Sequence, residues 1–126
     1  MDSKVVVYNA RPHEPLMLRF LLARAQVEAI TFCHEGELEN WLHHCVDVTS
    51  SIFGIIIDCV TYHERDFHFS FSDVLSSKKI PLIIITIEPV SRDWCCPQSR
   101  GGISIYHVSL DQLPQLLNHL RGDGSQ

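Results

Sequence analysis

Asp58 is the carboxylate best placed to do chemistry. It directly follows Ile55-Ile56-Ile57, and a run of β-branched apolar residues reads as a strand buried on both faces. Asp58 then falls at the carboxyl end of that strand, the edge of an open α/β sheet where ligands bind. A carboxylate there can attack a phosphoryl group or offer oxygen to a hard cation. Other chemistry-bearing residues stand at the ends of similar runs. Asn9-Ala10 follow Val5-Val6-Val7-Tyr8, Thr86 follows Leu82-Ile83-Ile84-Ile85, and Tyr106-His107 lie near the end of Ile103 to Val108. Asn9 brings an amide oxygen and Thr86 a hydroxyl. Tyr106 and His107 alternate across a strand, so one belongs to a core and the other faces outward.

Other chemistries are poorly supplied. The eight histidines lack the spacing of a metal site. His43 and His44 are adjacent, roughly 100° apart on a helix, and do not chelate together. His63 and His68 are separated by a polar stretch, and neither HExxH nor finger spacing occurs. Cys59 adjoins Asp58, and a carboxylate neighbour makes a thiol less reactive. Gly101-Gly102 stand alone, so no glycine-rich phosphate loop follows a strand. The sequence therefore implies no resident metal or cofactor, beyond Mg²⁺ held weakly by Asp58.

The elements that must position these residues alternate regularly. Strands are expected over Lys4–Tyr8, Ala29–Cys33, Ile52–Asp58, Ile80–Thr86 and Ile103–Val108. Pro12 or Pro15 can open a helix, which runs from Leu16 to Gln26 with Leu18, Leu21, Leu22 and Ala25 as its apolar stripe. A second helix spans Glu35 to Cys45, carrying Leu38, Trp41, Leu42 and Cys45, and Thr49-Ser50-Ser51 form a turn. Cys59 to Asp66 reads as a loop. Phe67 to Ser77 alternates like a strand at Phe67, Phe69 and Phe71, but a crossover is needed there, so it is assigned a short helix. Val90 to Arg100 reads as a weak helix, eroded by Pro97 and ended by the glycine pair. Ser109 and Gln112 have capping-box spacing ahead of a last amphipathic helix with Leu110, Leu113, Leu117 and Leu120. Strands alternating with helices imply a doubly wound α/β fold. The expected architecture is a flavodoxin-like five-stranded parallel sheet of order 2-1-3-4-5.

Composition agrees with one such domain. The chain has 126 residues, 45% of them hydrophobic and 20% charged, enough apolar material for a single core. The domain is placed over residues 1–121, with a polar tail over 122–126. A net charge of −5 argues against direct contact with nucleic acid. No apolar run reaches the length of a membrane span, and the N-terminus lacks signal-peptide patterning. The five cysteines are odd in number and show no CxxC, which suits reduced thiols in a cytoplasmic protein.

Taken together, these residues resemble the receiver domain of bacterial response regulators over nearly the whole chain. Asp58 matches the phosphoacceptor, Thr86 the Ser/Thr that closes strand 4, and Ile80-Pro81-Leu82-Ile83-Ile84-Ile85-Thr86 looks like that strand. The departures are equally specific. The family's acidic pair at the end of strand 1 holds Mg²⁺, and here Asn9 and Ala10 stand in its place. Its lysine-proline after strand 5 aligns with Tyr106-His107, and no lysine follows Lys79. Phosphoryl transfer depends on positioning and on neutralising the charge of the moving group, so losing both cation sources strips Asp58 of its helpers.

The resemblance implies an atypical regulatory domain of signal transduction or transcription control, not an enzyme, that works through protein partners or an attached output domain. Thr86, Tyr106 and His107 are its switch candidates. A homodimer through Leu110, Leu113, Leu117 and Leu120 is one form of such contact, although the same leucines, with Leu116, would equally cover the sheet. The alternative is a working phosphoreceiver fed by a histidine kinase, its metal site rebuilt with Glu14, Glu35 or Glu88.

Overall fold

The structure is a computed structural model that describes residues 4–9, 16–44, 52–64, 69–87 and 96–120. Ala10, Pro12, Glu14, Pro15, Cys45, the turn at Thr49-Ser50-Ser51, His68, Glu88 and the tail over 122–126 lie outside the described residues, as do the side chain of Leu18 and the part of the expected weak helix before Cys96.

The described chain runs β1 (Lys4–Tyr8), α1 (Leu16–Arg24), β2 (Glu28–Phe32), α2 (Glu35–His44), β3 (Ile52–Asp58), α3 (Cys59–Glu64), α4 (Ser72–Lys78), β4 (Leu82–Thr86), β5 (Gln98–Arg100), β6 (Ile103–Ser109) and α5 (Leu113–Leu120). The sheet has the order β2-β1-β3-β4-β6-β5. Every pairing is parallel except β5 with β6. The flavodoxin-like doubly wound fold is therefore present, with the expected fifth parallel strand as β6 and an antiparallel strand added at its edge.

Alternation along the central strand builds two cores. Ile55 and Ile57 face Leu38 and Leu42 of α2, Tyr62 of α3 and Val74 and Leu75 of α4. Ile56 faces Leu22 of α1 and Leu113, Leu116 and Leu117 of α5. Ile55 and Ile57 are fully buried and Ile56 nearly so, and burying such a side chain contributes about 1.5–3 kcal/mol. Both faces thus converge on β3, which fixes the position of the residue that ends it.

Local chemistry sets the boundaries. Helix α1 ends at Gln26, which takes φ 59°. The Val27 N–H donates to the Leu22 carbonyl and the Gln26 N–H to the Ala23 carbonyl, each at 3.0 Å, a Schellman closure. Helix α4 closes likewise at Lys79, φ 57° and ψ 44°, with the Ile80 N–H donating to the Leu75 carbonyl at 3.0 Å. The Ser109–Gln112 cap forms by its reverse half, the Ser109 N–H donating to Gln112 Oε1 at 3.0 Å.

Two expectations about elements are corrected. Cys59–Glu64 is a short helix, not a loop. It starts directly from Asp58 and turns Tyr62 into the core, where it is buried. Residues 98–100, expected to end a weak helix, form β5. Arg100 pairs with Ile103 across a two-residue loop, and Gly101 and Gly102 take φ 59° and 82°. Two successive positive φ values define the type I′ hairpin turn that Gly-Gly favours. Of the α5 leucines, Leu113, Leu116 and Leu117 are buried in the core, and Leu110 and Leu120 are partly buried against it. A helix covering one face of a parallel sheet needs this broad stripe.

Candidate functional site

Asp58 ends β3 half-buried, level with Ile85 of β4. Thr86 stands one residue further along β4, directly opposite Ser109 of β6. These strand ends open onto a cleft of about 590 Å³ at the carboxyl edge of the sheet, which holds Asp58, Thr86, Ser109 and Asp111 together. Much of its wall is apolar, including Val60 and Ile87. Both are unusually open to solvent, Val60 at 40% and Ile87 at 85%.

The structure brings Asp58 and Thr86 together and separates them from the other switch candidates. Tyr106 pairs with Ile83 and His107 with Ile84. Strand β6 continues to Ser109, which leaves His107 two residues short of the edge, roughly 7 Å at about 3.3 Å per residue. Tyr106 is buried on the α1–α5 side. His107 projects to the opposite face, its ring 6.1 Å from that of Tyr62 in an edge-on arrangement. Burial pushes His107 below its ordinary pKa, and neighbouring His63 pushes in the same direction. The edge position expected for Tyr106-His107 is thus corrected: Ser109 and then Asp111 occupy it. The signal was the length of the strand pattern, since Val108 and Ser109 are both buried.

Mg²⁺ is usually held by one or two carboxylates together with water and phosphate oxygens. The cleft offers Asp58 and Asp111, whereas the end of β1 offers Asn9, a buried amide. Glu35 accepts a hydrogen bond from the Ser70 N–H. Among the described residues, no group of three or more His, Cys, Asp and Glu side chains converges as a metal site. Nor is any described helix long and apolar enough to cross a membrane.

A second set of polar groups lies below the hairpin. Arg100 of β5 hydrogen-bonds the Tyr62 phenol. Burial pushes that phenol above its ordinary pKa, and the Arg100 charge offsets part of the rise. Around it stand Tyr8, Phe69 and Phe71, with Phe69 and Phe71 stacked at 5.0 Å and Tyr8 edge-on to Phe71 at 5.8 Å. Phe69 and Phe71 thus supply an aromatic floor ahead of α4.

A doubly wound sheet of this order, with an aspartate closing its central strand, has the CheY-like fold of receiver domains. Solved structures agree at the level of fold. A response regulator receiver domain protein from Clostridium thermocellum superposes with a TM-score of 0.57 at 18% identity, covering 98% of this chain and 97% of its own. A 3-dehydroquinate dehydratase-like protein from Bifidobacterium longum gives 0.56 at 16% identity, with both chains fully covered. The constitutive lysine decarboxylase of E. coli gives 0.56 at 17% identity over 97% of this chain but only 17% of that one. No family model matches the sequence, and no curated protein does. The same architecture thus serves a receiver, a dehydratase-like protein and part of a decarboxylase, so function rests on the site.

Proposed function

We propose that the chain is a receiver-like regulatory domain of bacterial signal transduction or transcription control that acts through protein contacts, without Mg²⁺-dependent phosphorylation. It works in the cytoplasm and is not an enzyme. One observation carries this reading: the carboxyl-edge cleft presents Val60 and Ile87 to solvent around Asp58, while the end of β1 supplies a buried amide in place of carboxylates. Apolar side chains exposed beside a cleft favour a macromolecular partner.

The second reading is a phosphoreceiver that takes a phosphoryl group on Asp58 from a histidine kinase. It is favoured by Asp58, Thr86 and Asp111 lining one cleft, since a hydroxyl and a second carboxylate then stand near the acceptor. Intact-mass measurement and intrinsic fluorescence with a small phosphodonor or beryllofluoride, with and without Mg²⁺, separate the two. The first reading expects no mass gain, and no Mg²⁺-dependent signal that Asp58→Asn removes. An Asp58-dependent gain of one phosphoryl group would overturn it in favour of the second.

A further inference from the structure

Away from the carboxyl edge, the β5–β6 hairpin roofs a cavity of about 240 Å³ between itself and helices α3 and α4. Tyr62, Phe69, Leu75 and Ile105 form its buried floor, and Arg100 and Asp73 stand at its rim. An apolar floor with a few convergent polar groups is common in small-molecule sites. That volume admits a molecule of amino-acid size.

The charges narrow the ligand further. Arg100 presents a planar fork suited to a carboxylate, and Tyr62 beside it adds a phenol. Asp73 supplies a carboxylate from a different element, α4, suited to an ammonium group. Ser72 Oγ also lines the cavity and already accepts the Phe69 N–H at 3.3 Å. One cation and one anion at the rim, over an aromatic and aliphatic floor, match a molecule that carries both charges and an apolar group.

We propose that this cavity binds a free α-amino acid with an apolar side chain, its carboxylate on Arg100 and Tyr62, its ammonium on Asp73, and its side chain on Phe69 and Leu75. The site is separate from the Asp58 cleft and does not depend on how that cleft is used. It gives the hairpin a purpose: β5 carries Arg100 over the floor, and the glycine turn brings the strand back against α4. At Gly102 a Cβ would lie 2.5 Å from Ser76 Oγ, so the turn seats directly on that helix.

The test is an amide-resolved NMR titration of the full chain with L-leucine, isocaproate and isoamylamine at millimolar concentration. L-leucine should shift the amides of Tyr62, Phe69, Asp73, Arg100 and Gly101. The analogues lacking the ammonium or the carboxylate should bind at least about tenfold more weakly, a difference of roughly 1.4 kcal/mol. Arg100→Gln and Asp73→Asn, both at exposed positions, should each lose about as much while keeping a folded spectrum. If either variant loses its fold, the analogue series on the natural chain decides alone. No shift with L-leucine, equal binding of an analogue, or unchanged binding in folded Arg100→Gln and Asp73→Asn would each overturn the proposal.

Discussion

The carboxyl edge of the sheet and the hairpin beside α4 make an instructive pair. At the edge, Asp58 and Thr86 sit where strand ends in this architecture hold ligands, yet the surrounding wall is largely apolar and open, with Ile87 85% exposed. Beside α4, a three-residue strand and a glycine turn close a smaller space over aromatic rings and place charges of both signs at its rim. The carboxyl edge pairs its carboxylates with an open apolar wall, and the added hairpin sets charges of both signs over a buried floor. A fold fixes where a site is easy to build, and the side chains decide whether one is built there.

The difference should appear first in stability. Gly102→Val places a branched side chain at φ 82° and against Ser76 Oγ, 2.5 Å from where its Cβ would lie. The left-handed conformation alone costs roughly 1–2 kcal/mol, and the crowding brings the total to about 2–3 kcal/mol. Ile87→Ser at the open edge should change stability by no more than about 0.5 kcal/mol, because little is buried there. Urea unfolding of both variants makes the comparison. A cost no larger than the roughly 1–2 kcal/mol of the left-handed conformation alone would mean that the hairpin is not held against α4, and the contrast between the regions would fail.

The two regions also differ in how far the sequence discloses them. The Ile55-Ile56-Ile57-Asp58 run identifies the central strand, because burial on both faces demands continuous apolar residues. Thr86 follows from the same logic one strand over. The sequence sets Tyr106-His107 too near the edge, since the small polar Ser109 looks like a cap when it is also the last residue of β6. The hairpin is hidden for a different reason. Gly101-Gly102 read as the end of a weak helix, although a two-residue glycine loop between short β-prone segments is itself a hairpin signal. Gln98-Ser99-Arg100 are all exposed and carry no hydrophobic alternation, so nothing in their own pattern announces a strand. Arg100 near Tyr62 could not be foreseen, because the pairing depends on α3 turning Tyr62 inward where a loop was expected.

Acidification should weaken the α3–β6 contact behind the hairpin cavity. His107 is held below its ordinary value of 6.5, first by burial and then by His63. The unfolded chain therefore takes up the proton at higher pH than the folded chain does. Stability from this group is fully present above about pH 6.5 and falls as pH drops below it toward the lower folded value. His107→Leu should flatten that part of the profile, and His63→Gln should shrink it less, because the His63 charge is the smaller cause. Urea midpoints between pH 5.5 and 7.5, a window set roughly by the unperturbed histidine value, make the measurement. An unchanged slope in His107→Leu would assign the titration to other groups and detach it from this face.

The smallest effect is a gain, and it tests how tightly α4 is coupled to the hairpin. Gln26 and Lys79 both close helices in the left-handed conformation, at φ 59° and 57°. A glycine in either place removes the steric cost of the Cβ, while the unfolded chain gains freedom that offsets part of it. The net gain expected for each substitution is about 0.5–1 kcal/mol. The surroundings differ, however. Gln26 is exposed at the end of α1, far from the hairpin in the sheet order, whereas Lys79 shares a surface hollow with Ser76, Gly102 and Ser104. Gln26→Gly therefore reports the backbone term alone. If the Lys79 stem packs against the turn, Lys79→Gly forfeits that contact and gains less than Gln26→Gly. Equal gains in chemical denaturation would show that the turn is seated on α4 by Gly102 and Ser76 alone, and would locate the hairpin's attachment at that one contact.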